Sequence, residues 1–117
     1  MYISNSIMEL LRRKAMKSKC MFRVAAMAFD AKGTVLGTAM NTQLFPTRGG
    51  SMHAERKLII KYGRKISQIV ICRTNKMGDF LSIDPCANCR KIADNFGIEI
   101  LSIKPINQQG ITCKTQD

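Results

Sequence analysis

The apolar residues change their period several times along the chain, and each change marks an element. Over residues 4–19, Ile7, Met8, Leu11 and Ala15 recur at helical spacing. Arg12, Arg13, Lys14, Lys17 and Lys19 supply the other side, so a helix with one basic face is expected. Residues 21–30 and 34–41 read as strands separated by Ala31-Lys32-Gly33, with glycine where a positive φ is wanted. The pair should form a hairpin. Val24, Ala26 and Ala28 fall on one face of the first strand, and Ala25, Met27 and Phe29 on the other. Two apolar faces predict a sheet covered on both sides.

Residues 42–51 carry Pro46, Gly49 and Gly50 and read as a loop, placed to wall or gate a site. A helix follows to about Tyr62, with Ser51 as its expected N-cap and Gly63 as its stop. Leu58 and Ile59 should point inward, Lys57 and Lys61 outward. The run Ile69-Val70-Ile71-Cys72 marks a buried strand over 67–73. After a polar turn over 74–79 and a lead-in over 80–83, Asp84 and Pro85 suit the N-cap and first position of a helix. That helix carries Cys86, Cys89, Ile92, Ala93 and Phe96 and stops at Gly97. Residues 98–103 form the next strand and 111–115 a last short one. A parallel crossover needs about a dozen residues or more, so the last strand should run antiparallel to its predecessor. The order is helix, strand, strand, helix, strand, helix, strand, strand. It predicts an α/β fold with three helix/sheet/helix layers around a mixed five-stranded sheet. Without a linker, repeat or low-complexity tract, residues 1–117 read as a single domain.

Composition adds a charge and a compartment. There are 19 basic and 8 acidic residues, a net charge of +11, which attracts polyanions or phosphorylated substrates. Nucleic acid is a possible partner on this ground, and a merely solvated basic surface accounts for the charge equally well. No apolar run approaches the ~20 residues of a membrane span, so no membrane partner is expected. At the N-terminus the apolar residues precede the basic cluster, the wrong order for a secretory signal. Five cysteines without an export signal then argue for a reducing, cytoplasmic setting. Cys20, Cys72 and Cys113 read as small apolar fillers.

The candidate chemistry gathers at two helix starts. The chain has one histidine, His53, followed by Ala54 and Glu55; Pro85-Cys86-Ala87-Asn88-Cys89 lies downstream. Cys86 and Cys89 are three apart, share a helix face and can grip one ion in a first turn, where the helix dipole favours thiolates. His53 with these cysteines makes a three-ligand set suited to a catalytic zinc, which keeps a fourth position for water. His53 and Glu55 do not share a helix face, so the ion should sit off the helix end. A capping box would put its acid at 54, so capping does not explain Glu55. Zinc lowers the pKa of its water towards ~7, and Glu55 is free to move the proton.

Taken together, His53-Ala54-Glu55 and Pro85-Cys86-Ala87-Asn88-Cys89 resemble the signature of zinc-dependent nucleobase deaminases. From Phe22 to about Ile103 the chain resembles the cytidine deaminase superfamily, whose fold is a mixed five-stranded sheet flanked by helices. Cys86-Ala87-Asn88-Cys89-Arg90 is similar to the Cys-Gly-x-Cys-Arg of nucleoside cytidine deaminases. The resemblance implies that His53, Cys86 and Cys89 bind zinc, that Glu55 is catalytic, and that Arg56 offsets thiolate charge. Phe22-Arg23-Val24 falls where that branch has Phe-Pro-Val, which places Phe22 near the base. Asn41-Thr42-Gln43 falls where it has Asn-x-Glu, which assigns Asn41 and Gln43 to the sugar, with Gln in place of Glu. By the same resemblance the Ala54 backbone contacts the base and the Asp84 carbonyl receives the departing amine. The expected activity is hydrolytic deamination of cytosine to uracil in cytidine or deoxycytidine, as nucleosides or nucleotides, releasing ammonia. Homo-oligomers, dimers or tetramers, are also implied. The alternatives are a deaminase of cytosine within single-stranded DNA or RNA, and a zinc module that only binds.

Overall fold

The computed structural model describes residues 3–19, 23–45, 49–85, 87–106 and 110–115, with side chains for 3–19, 23–41, 53–85 and 87–103. Helix α1 spans Asn5–Met16 and starts where expected, because the Ser4 side chain accepts a hydrogen bond from the Ile7 amide at 3.2 Å. It ends three residues before the expected 19, closing in a turn in which the amides of Lys17 and Ser18 donate to Lys14 and Ala15. Leu11 and Ala15 are its fully buried residues.

Strands β1 (Arg23–Phe29) and β2 (Val35–Met40) form the expected antiparallel hairpin. The turn is built on Asp30, whose carboxylate accepts from the amides of Lys32 and Thr34, while Gly33 takes φ 83°. β1 runs antiparallel to β5 (Gln68–Thr74) on its other side, and β5 pairs in parallel with β7 (Glu99–Ile106). β7 continues antiparallel to β8 (Gly110–Thr115), as the short connection requires. The path is β2-β1-β5-β7-β8, a mixed five-stranded sheet, and the two-residue strand β6 (Phe80–Leu81) pairs with the end of β5.

The alternation read along β1 decides the layers. Ala25, Met27 and Phe29 join Val70, Cys72, Leu101 and Ile103 under α1. Val24, Ala26 and Ala28 join Ile69, Ile71 and Ile100 under α2 (Ala54–Tyr62) and α3 (Ala87–Asn95). Six successive residues of β1, Val24 to Phe29, are buried, as a strand covered on both faces must be. The helix/sheet/helix arrangement follows.

Two expectations are corrected here. The segment 42–51 is not a plain loop: β3 (Thr42–Phe45) and β4 (Gly49–Met52) form a separate two-stranded antiparallel sheet. Glycines at 49 and 50 hid it, because glycine weakens a strand pattern without forbidding backbone pairing. The helix of the second motif begins at Ala87, so Asp84 and Pro85 precede it in irregular chain.

Cys72 is a fully buried thiol, which fits the filler reading; Cys20 and Cys113 lie outside the side chains described. Burial pushes its pKa from 9.0 up to about 12, with the Ala25 backbone pulling slightly the other way. The unfolded thiol ionises first, so this group removes stability as pH rises from its unfolded value towards its folded one. Between about pH 8 and about pH 10.5, urea unfolding of the wild type should lose about 2 kcal/mol more than that of Cys72→Ala. Equal losses in the two proteins would contradict the buried, protonated thiol.

Candidate metal centre

The start of α2 differs from the expectation, and the difference aims the histidine. His53, not Ser51, is the N-cap, with extended backbone (φ −69°, ψ 144°) and no capping bond from its ring. Its carbonyl accepts the Lys57 amide at 3.2 Å, the first turn of the helix. An N-cap side chain lies at the helix end rather than along its flank, so the imidazole can reach a neighbouring helix. Its Nδ1 lies 3.3 Å from Sγ of Cys89, which is buried in the first turn of α3.

Glu55 completes the group. Its carboxylate, the imidazole and the Cys89 sulfur each offer an atom within 4.8 Å of the others. The residue is 3% exposed. Burial is the largest influence on its pKa and raises it, opposed by its own backbone amide and the charges of His53 and Arg56. A raised carboxyl pKa suits a group that must take up and release a proton.

The donor set fits zinc. Tetrahedral zinc with roughly 2.0–2.1 Å to nitrogen and roughly 2.3 Å to sulfur sets those two atoms about 3.6 Å apart. The observed 3.3 Å is close to that separation. A thiol in the first turn of a helix is favoured as the thiolate, the form that binds zinc. His53 and Cys89 are thus brought together as expected, while the other expected ligand, Cys86, lies outside the described residues.

The other predicted residues fall as follows. Ala54 is fully buried as the first residue of α2. Arg56 is half-buried in the same turn, with its Nε unpartnered among the described residues and its charge acting on Glu55. Asp84 is exposed just before α3. Asn41 is buried at the end of β2, where Oδ1 accepts from the Val24 amide at 3.0 Å and from the Ser18 hydroxyl at 2.7 Å. Gln43 lies in β3 with its side chain outside the description, and Phe22 lies outside it altogether.

Lys57 was missed. Read as pointing outward, it is half-buried and donates from Nζ to the Met40 carbonyl at 2.7 Å. The signal was faint: it is four residues from His53, one turn along the face of α2 next to β2. Lys61 is exposed as expected.

Among known proteins, the family model of the cytidine and deoxycytidylate deaminase zinc-binding region matches residues 1–104. No curated protein sequence matches the chain. Among solved structures, cytidine deaminase from Burkholderia pseudomallei is similar at TM-score 0.66 and 17% identity, over 97% of this chain and 93% of that one. Cytidine deaminase from Mycobacterium leprae is similar at TM-score 0.60 and 18% identity, over 95% and 94%. The enzyme from Mycobacterium tuberculosis gives 0.52 and 18%, over 88% and 86%. At these identities the likeness is one of fold.

Metal and fold should depend on each other. Cys89→Ala should lose zinc in elemental analysis and melt at a lower temperature than the wild type. Stripping the wild type with a chelator should reproduce most of that drop. Retained zinc with an unchanged melting temperature would contradict the assignment.

Proposed function

Because the chain belongs to the cytidine and deoxycytidylate deaminase zinc-binding family, we propose that it hydrolyses the exocyclic amine of cytosine in a pyrimidine nucleoside or nucleotide, giving uracil and ammonia. The observation that carries the reading is the buried Glu55 carboxylate within reach of the His53 imidazole and Cys89 sulfur. His53, Cys89 and Cys86 supply three ligands without it, which leaves Glu55 free to carry protons.

His53 and Cys89, with Cys86, would hold the metal. Bound there, zinc supplies a Lewis acid that brings the pKa of water near neutrality. Glu55 works beside it as the proton carrier. A carboxylate oxygen takes one proton from the attacking water and delivers it to the ring nitrogen next to the reacting carbon; it then takes the second proton from the hydroxyl now on that carbon and passes it to the departing amine, as the carbon–nitrogen bond breaks and the carbonyl of uracil forms. Burial supports both halves of that cycle, since it lowers the cost of holding the proton between steps. Arg56 adds positive charge in the first turn of α2 and offsets the negative charge of thiolates and Glu55. Ala54, buried at the helix start, presents backbone rather than side chain to the base. The Asp84 carbonyl takes the departing amine, Phe22 packs near the base, and Asn41 and Gln43 address the sugar. Homo-oligomerisation belongs to the same proposal and rests on the resemblance; the mass of the native protein in solution tests it.

The direct test is ammonia release from cytidine, deoxycytidine, their monophosphates and cytosine-containing oligonucleotides. Turnover of the free nucleosides or nucleotides is expected. Glu55→Gln should keep zinc and substrate binding while kcat falls by roughly two to four orders of magnitude. Turnover confined to oligonucleotides, weakening steeply with salt, would replace this reading with a nucleic-acid deaminase. Stoichiometric zinc with no turnover on any of them would leave a binding module.

A further inference from the structure

The end of β2 is fastened twice to the start of α2. Lys57 donates to the Met40 carbonyl at 2.7 Å. Thr42 pairs with Met52 across the β3–β4 sheet, one residue before His53. Asn41 lies between these two ties, so its neighbours on both sides hold it close to the helix end that carries His53. Its amide also donates to the Val24 carbonyl at 3.1 Å.

The side chain of Asn41 is itself held. The Val24 amide can only donate, so the carboxamide atom it meets at 3.0 Å is the oxygen. The Ser18 hydroxyl comes to the same oxygen at 2.7 Å and lies 3.0 Å from the Asn41 carbonyl. Both lone pairs of Oδ1 thereby have donors, and the NH2 end is turned away from Val24 and Ser18. Ser18 is as firmly placed as its partner. It is 3% exposed, its amide donates to Ala15 at 3.0 Å, and its carbonyl accepts from Arg23 Nε at 3.4 Å. It stands just past α1, on the opposite side of the sheet from α2.

We propose that Ser18 is a positioning residue for substrate: its hydroxyl, with the Val24 amide, fixes the Asn41 carboxamide at the end of β2, so that the side chain meets a sugar in one set orientation. The inference rests on the reading of Asn41 as a sugar contact. It makes the end of α1, a helix that takes no part in metal binding, a determinant of nucleoside affinity.

The test compares wild type, Ser18→Ala and Ser18→Cys on cytidine, 2′-deoxycytidine and 2′,3′-dideoxycytidine, with zinc content and melting temperature measured alongside. The cysteine variant fills the serine's space with a weaker donor and guards against a folding defect in the alanine variant. Loss of one fixed hydrogen bond should raise KM for cytidine by roughly three- to tenfold, with kcat within about twofold and zinc unchanged. The KM penalty should shrink on the analogue that lacks the hydroxyl Asn41 meets. A penalty equal on all three nucleosides, or one that tracks lost zinc or lost stability, would overturn the positioning role. Absence of turnover by the wild type on these nucleosides and on their monophosphates would instead overturn the proposed function, and this inference with it.

Discussion

One contact joins the two halves of the motif: the His53 imidazole against the Cys89 sulfur, 3.3 Å apart and 36 residues apart in the chain. Neither helix start makes a site alone. Each needs the other at a separation a metal can bridge, and the sheet provides it. α2 and α3 lie over the same face, packed on Ile69, Ile71 and Ile100. These apolar side chains therefore have a chemical consequence, because they set the two helices in register with each other. The face under α1 adds core without adding ligands.

The site is arranged around a cost. A carboxylate 3% exposed loses most of its hydration, which is why burial dominates the pKa of Glu55. The positive charge of Arg56 offsets part of that penalty. The carboxylate stays within 4.8 Å of the His53 and Cys89 ligand atoms while its pKa is raised.

Much of this was legible in the sequence because it depends on local rules. The period of two along β1 assigns Val24, Ala26 and Ala28 to one core and Ala25, Met27 and Phe29 to the other, as found. Gly33 marks a turn whose geometry only a few residues accept. The pairing of His53 with Cys89 follows from two helix starts and a short list of metal-binding residue types. What could not be read depends on distant partners. The β3–β4 pairing uses backbone groups whose side chains, Gly49 and Gly50 among them, carry no alternation. His53 displaces Ser51 as N-cap although serine has the better capping chemistry, since Ser51 pairs with Gln43 in that small sheet. Lys57 reads as a surface residue and Ser18 as part of the first helix until the fold brings Met40 and Asn41 to them.

The central claim is that one metal ion is shared by two helix starts, and X-ray absorption at the zinc edge of the purified protein tests it most directly. The account predicts a four-coordinate zinc whose first shell contains sulfur at about 2.3 Å together with nitrogen or oxygen at about 2.0–2.1 Å, the nitrogen showing the outer scattering of an imidazole ring. A protein without zinc, or a zinc shell without sulfur, would contradict it.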